Sequence, residues 1–524
     1  MTIVIATIAA IAALSAAGFF PVVAAIGPRW FAVPMAPLAG AVLAGVAATA
    51  SLSFGGPLLT WFVALALAAA LAVFSGWVLE PGRGPWSRTS RRGTRRLTRS
   101  RVVGIVGFLA VMISCAWSLR GLRSPTVGFD ARALWVMRPG WLLQSHAQLL
   151  IDMKTRGLVL TQSAYPPLVS ASAAVAWRIT GVHTARLGVT TIAVMNACAL
   201  AAAALALVEC GRGVGTRMIR GPGPGEVRSA DTAAPSRPPW APLVTGVVTA
   251  VLLVFVAAGV TEPFLTNGYA DPIWSLAAVG AVAYGLQAGS DRSTRAAAAI
   301  LILVAGLSKN EGLVTAIALV VLVAARSVGW PGMREGRRRW GPPVIVAACE
   351  VAVLAWWPLL MKAIGARGAS SAFTASTDLA SRSSAVVHGM SPYLHVLAVA
   401  LPLSVLGGLV LSSVRRRGGV GNDLWAWLAL GVGLLAVGGA LVTGSGAIVP
   451  WIRSTVHRIT EYPILEGWWI IAVWAVVASS GIRGVPGVPA DAVPADRHDE
   501  GDTGSDARVS SAVPVGSSSV EAPR

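Results

Sequence analysis

The residues of this chain that could do chemistry stand in five short polar stretches, each set against long apolar runs. The first holds Asp130, Trp135 and Arg138, and the second holds Tyr165, followed by Pro166-Pro167-Leu168. The third carries Asn267, Tyr269 and Asp271, and the fourth Lys309, Asn310 and Glu311. The fifth carries His457 and Arg458, with Arg453 and Glu461 nearby. A carboxylate in such a set can take the proton of an attacking hydroxyl, a step in which a positioned general base supplies about 10² to 10⁴-fold. Arginine presents a planar fork of donors that binds phosphate bidentately, so Arg138 and Arg458 suit a departing phosphate, with Lys309 and His457 as further cationic candidates. Asn267, Tyr269 and Asp271 are hydrogen-bonding groups of the kind that hold sugar hydroxyls, and Trp135, Tyr165, Asn310 and Glu311 extend the substrate-binding set.

Apolar helices must position these groups. Of 524 residues, 55% are hydrophobic and 12% charged, and the mean hydropathy is positive. That exceeds what a soluble core can bury, and apolar runs of about 20 residues recur along the chain. The expectation is an all-α, polytopic transmembrane helix bundle of about 13 spans. Candidate spans lie near 3–25, 36–54, 57–79, 102–118, 184–208, 241–260, 272–288, 295–308, 312–327, 343–362, 393–413, 423–444 and 463–481.

The net charge of +19 would suggest nucleic acid in a soluble protein, but the arginines concentrate in short connections at 82–101, 211–240, 291–295, 334–339 and 415–417. That is the positive-inside pattern, so nucleic acid is excluded as a partner and these connections are expected in the cytoplasm. The five polar stretches then share the opposite, extracytoplasmic face. One conflict of parity arises: two full crossings between Tyr165 and Arg212 would place the 211–240 arginines outside. The stretch 165–181 is therefore read as interfacial or re-entrant.

The four cysteines show no metal-ligand spacing, and none of the chemistry above demands a metal or another cofactor. Met1 to Phe20 lacks a basic leading region and reads as a retained helix. The tail after Ile482, rich in Gly, Pro, Ser and Asp, reads as a disordered cytoplasmic extension. High Ala, Gly, Arg and Val usage points to a GC-rich bacterial genome.

No nucleotide sugar is normally present outside a cytoplasmic membrane, so group transfer there needs a donor activated inside and carried across on a lipid. In that light the order of motifs matters: Asp130, Trp135 and Arg138 after an outward helix; Tyr165-Pro166-Pro167-Leu168; Tyr269-Ala270-Asp271-Pro272; Lys309-Asn310-Glu311-Gly312; and late Ser454-Thr455-Val456-His457-Arg458. This order resembles the GT-C superfamily of membrane glycosyltransferases, in particular bacterial members related to the protein O-mannosyltransferase and aminoarabinose transferase group. The resemblance covers roughly 102–481. It divides the chain into N-terminal extra helices (1–81), a basic cytoplasmic loop (82–101), a catalytic module (102–481) and the tail (482–524). It implies inverting transfer from a polyprenyl-phosphate-linked sugar to a cell-envelope glycan, lipid or protein, with a first extracytoplasmic catalytic loop and Asp130 as general base. The chain departs from the pattern in two places: Asp130 is followed by Ala131, where a second acid is common, and Arg138-Pro139 stands where a lysine and a small residue are expected.

Each motif also has a purely structural reading. Asp130 could be a solvated or capping acid, with Asp152 and Asp271 as rival bases. Two prolines commonly start a helix. Asp271 suits a helix N-terminus, Lys309 to Gly312 could be a tight interhelical loop, and His457 and Arg458 could anchor an interface. Two other functional classes remain open: a flippase for a lipid-linked glycan, which predicts ionisable groups within spans, and a polymerase or ligase using a pyrophosphate-linked donor, which predicts a dominant late loop of arginine and histidine.

Overall fold

The computed structural model describes residues 2–27, 29–79, 99–123, 127–128, 131–154, 165–220, 240–287, 292–328, 341–366, 379–410, 423–443 and 455–479, without the side chains of a few of them, Trp135 included. Asp130, Ser454 and the tail expected to be disordered lie outside the described residues.

Seventeen α-helices follow in order: α1 (Thr2–Ile26), α2 (Ala32–Phe54), α3 (Leu58–Leu79), α4 (Arg99–Ser118), α5 (Arg138–Leu142), α6 (His146–Lys154), α7 (Leu168–Thr180), α8 (Ala185–Arg220), α9 (Ala241–Val260), α10 (Asp271–Val282), α11 (Arg292–Ser308), α12 (Asn310–Val328), α13 (Gly341–Ala363), α14 (Leu379–Met390), α15 (His395–Val410), α16 (Asp423–Thr443) and α17 (Glu461–Ser479). Among the described residues there is no strand. Among the described residues, nine helices are long and apolar enough to cross a membrane, or ten if the α14–α15 pair, bent by 73°, counts as one span. The expected count of about 13 also included 272–288, 295–308 and 423–444. All three stretches are helical, but α10 with the π-helical turn that continues it to Gln287, and α11, have 17 residues each, short of the roughly 20 that a full crossing uses, and the apolar run described in α16, Leu424–Gly439, is also shorter.

In a lipid solvent, helices associate through close packing and not by leaving water, so small residues collect where they meet. Helices α1 and α2 show this: a side chain at Gly40 would overlap the Leu14 carbonyl. Together with the alanine-rich α8, α2 is almost wholly enclosed.

Pairwise contacts fix the helix directions. Helices α4 and α9 run parallel, with Gly107 against Val247, the Trp117 and Phe255 rings 5.1 Å apart, and Gly121 against Thr266. Helix α8 runs antiparallel to α9, with Gly211 against Pro242 and Leu207 against Gly246. The chain therefore returns once between α4 and α9, through α8. Helix α7, 13 residues long, adds no crossing: Leu168 lies against Gly45 in the middle of α2, and Trp177 lies against Gly188 at the start of α8. It is a short helix folded back on α8, which agrees with the interfacial or re-entrant reading of 165–181. One end of the bundle thus gathers the C-termini of α4, α9 and α11 with the N-termini of α8, α10, α12 and α17.

Candidate functional site

The site is built at that end around the turn Thr261–Ala270 and the first residues of α10. Gly268 has φ of +88°, a left-handed backbone where a side chain is strained, and an added Cβ would also meet Val189 at 3.0 Å. The turn is held from below by Asn196, fully buried in α8, whose Nδ2 donates to the Leu265 carbonyl at 3.0 Å. Asn267, Tyr269 and Asp271 are consequently directed into the bundle and buried. Asp271 opens α10, followed by Pro272, so its carboxylate sits where the helix dipole favours negative charge.

Lys309, between α11 and α12, joins two acids. Its Nζ lies 2.5 Å from Asp271 Oδ1 and 3.6 Å from Glu311 Oε1, and the Lys309 and Asp271 side chains are 7% and 2% exposed. Burial opposes the ammonium charge, but Asp271 and Glu311 outweigh it and hold Lys309 above its ordinary pKa. Glu311 keeps its other oxygen, Oε2, buried and without a hydrogen-bond partner among the described residues, as Asn267 does its Oδ1. These two acceptors look into the same end of the bundle with capacity to spare.

Further groups close around this trio. Arg458 stands 5.0 Å from the Tyr269 ring centroid and 6.0 Å from that of Phe264, which itself packs 5.2 Å from His457. Arg138, 1% exposed, donates through Nη2 to the Tyr165 carbonyl at 2.9 Å and lies 6.0 Å from the Trp357 ring. Burial lowers its guanidinium to about 10, which leaves it charged at neutral pH. Burial raises the Tyr165 phenol, and Glu311 adds to that, with Lys309, Asp271 and Arg458 also in electrostatic reach. His457 is shifted down, first by burial and then by Arg458. Ser275, one turn into α10, places Oγ 2.8 Å from the Asp271 carbonyl and 3.3 Å from Glu461 Oε2.

Of the twelve residues assigned a role from sequence, nine gather here: Arg138, Tyr165, Asn267, Tyr269, Asp271, Lys309, Glu311, His457 and Arg458. Asn310 is exposed on the first turn of α12, outside the trio. Asp130 and the Trp135 side chain lie outside the description, but Asp130 is bracketed by residues that are described. Gly128 lies directly against the Tyr269 ring, where a Cβ would come within 2.4 Å of it, and buried Ala131 meets Gly268. Asp152, a rival base, accepts from Gln148 on its own helix at 2.7 Å.

Several buried polar residues in or near the site had no role assigned from sequence. Glu461 was noted only for its sidedness, and Asn196, Ser275 and Glu466 not at all. Glu461 and Glu466 are both fully buried. The available signal was an acid or amide inside an otherwise apolar helix, which is costly unless paired or functional.

No family model, no curated protein and no solved structure matches the chain.

Proposed function

We propose that the chain is a GT-C-like glycosyltransferase of a bacterial plasma membrane. It moves a sugar from a polyprenyl phosphate to an extracytoplasmic cell-envelope acceptor with inversion. The observation that carries this reading is the convergence, at one end of an apolar bundle, of carboxylates (Asp271, Glu311), cations (Arg138, Lys309, Arg458) and sugar-type hydrogen-bonding groups (Asn267, Tyr165, Tyr269). In sequence, the arginine-rich connections adjoin the opposite ends of these helices, which supports an extracytoplasmic site under the positive-inside rule.

In the reaction, an acceptor hydroxyl oxygen attacks the anomeric carbon, the bond from that carbon to the phosphate oxygen breaks, and the hydroxyl proton passes to a carboxylate. Polyprenyl phosphate leaves with the electron pair. The resemblance assigns the carboxylate to Asp130, and the packing of Gly128 and Ala131 on the 268–269 segment supports that position. Lys309 is committed to Asp271 and Glu311, so the phosphate role falls more naturally on Arg458 and Arg138. Asn267 Oδ1 and Glu311 Oε2 can accept from sugar hydroxyls.

The test is transfer by purified protein reconstituted with radiolabelled polyprenyl phosphate sugars and a cell-envelope acceptor extract. Asp130→Asn is expected to lower transfer about 10²-fold or more, and Glu311→Gln, which loses a charged acceptor, about tenfold. Full transfer by Asp130→Asn would remove that residue from the chemistry. One observation favours the second reading, a flippase for a lipid-linked glycan: Glu466 lies fully buried inside the span formed by α17, with neither carboxyl oxygen partnered among the described residues. Lipid movement in the same vesicles, without transfer from any monophosphate donor, would establish that reading instead.

A further inference from the structure

Where the ends of α4 and α9 meet the turn at 261–270, a cleft of about 220 Å³ opens beside the site. A water's share of the liquid is roughly 30 Å³, so the cleft has room for a lipid headgroup and not for a folded segment of protein. Two aromatic rings stand in its lining: Trp117 and Phe255, 47% and 44% exposed, pack edge to face. Below them, exposed Leu109, Ile113, Val248 and Leu252 continue along the two parallel helices as a track for acyl chains. Its polar side holds two opposite charges. Arg120 stacks on Trp117 with its guanidinium 3.7 Å from the ring centroid, and Glu262 lines the cleft from the turn. Among the described residues, the two form no ion pair with each other or with any other charged side chain.

We propose that this cleft is a binding site for a zwitterionic phospholipid with a primary amine, of the phosphatidylethanolamine type. The phosphate meets Arg120, the ammonium meets Glu262, and the acyl chains run down the α4–α9 track. Arginine and tryptophan at the end of a span are the usual anchors at headgroup depth. A headgroup carrying only negative charge would leave Glu262 facing it unmatched. A quaternary ammonium could not donate to the carboxylate, and the aromatic face that would otherwise attract it is occupied by Arg120. The site is independent of the proposed transfer chemistry but adjoins it. Glu262, Leu265 and Thr266 line the cleft, while Phe264 and Tyr269 of the same turn face Arg458. A lipid seated here braces the turn from behind.

Native mass spectrometry of the full chain in detergent tests this. The probes are phosphatidylethanolamine, phosphatidylcholine, phosphatidylglycerol and a polyprenyl phosphate, supplied in equal amounts. The ethanolamine lipid is expected to be retained above the other three. Arg120→Ala and Glu262→Gln should each reduce its retention about fivefold. Arg123→Ala, one turn away and outside the cleft, should not. Glu262→Lys should shift preference to phosphatidylglycerol, a gain that misfolding cannot produce. Equal or better retention of phosphatidylglycerol, phosphatidylcholine or polyprenyl phosphate by the unmodified chain would overturn the proposal. So would an Arg123→Ala loss as large as that of Arg120→Ala, or a Glu262→Lys variant with unchanged preference.

Discussion

Lys309 is the residue on which the site's electrostatics turn. Removing one partner of a buried ion pair leaves an uncompensated charge and costs about 3–5 kcal/mol, whereas removing both often costs much less. Lys309→Met is therefore expected to destabilise the protein by about that amount. The double variant Lys309→Met with Asp271→Asn should recover most of the loss in thermal unfolding in detergent, and equal melting of the single and double variants would show that the pair has no such role. His457 gives a second prediction. Its folded pKa lies below the ordinary value near 6.5 because of burial and Arg458. The unfolded chain then binds more protons in that window, so this residue's contribution is complete above about 6.5 and is lost as pH falls from there through the lower folded value. Relative to His457→Gln, the unmodified chain should lose more melting temperature between pH 7.5 and 5, and parallel curves would refute the assignment. Individual polar residues were the most legible part of the sequence, because an ionisable group in an apolar chain is conspicuous. Their pairing was not legible: nothing in the spacing of Asp271, Lys309 and Glu311 says that the lysine is held between the acids.

The turn Thr261–Ala270 is the element that converts sequence motifs into a site. Gly268 and Asn196 hold it from two sides, one through backbone conformation and the other through a hydrogen bond from α8. Gly268→Ala is expected to cost about 1–2 kcal/mol for the left-handed backbone alone, with added pressure on Val189. Asn196→Ala should cost about 0.5–1.5 kcal/mol. Both should lower transfer or lipid movement more than a substitution of equal cost far from the turn, such as one in α14. If activity tracks melting temperature alone, the turn has no special place. Asn196 was missed because a lone amide within Ala-Val-Met-Asn-Ala-Cys reads as a tolerated polar residue in a helix, and its acceptor lies 69 residues away. Glu466 escaped notice for a related reason. Hydropathy averaged over a span hides a single acid, and only packing shows that both its oxygens are enclosed.

For the whole molecule, helical class and membrane character followed from composition, whereas the number of crossings did not. Window hydropathy cannot tell a 13-residue helix folded against its neighbour from a full span, and the direction of α9 relative to α4 settles what α7 is. Single cysteines placed in a chain stripped of its four native ones test the sidedness directly. His183→Cys and Glu262→Cys should react with a membrane-impermeant maleimide added outside intact cells, and Arg292→Cys should react only after permeabilisation. The reverse pattern would invert the topology and place the site in the cytoplasm.

The enclosure of α2 also bears on how the chain is made. Residues 1–81 lie outside the motifs that resemble a known family, yet α2 packs against α7, α8, α11 and α13 as well as its neighbours α1 and α3. Thr7 bonds Thr190 at 2.8 Å, the Phe31 ring lies 4.9 Å from that of Tyr284, and Trp356 donates to Ser53 at 3.1 Å. These helices thus wait for partners synthesised more than a hundred residues later. Until then, a face of alanine and glycine, weakly retained by lipid, stands open. A stalled or truncated nascent chain would present that face to whatever insertion factor or quality-control protease patrols the bilayer.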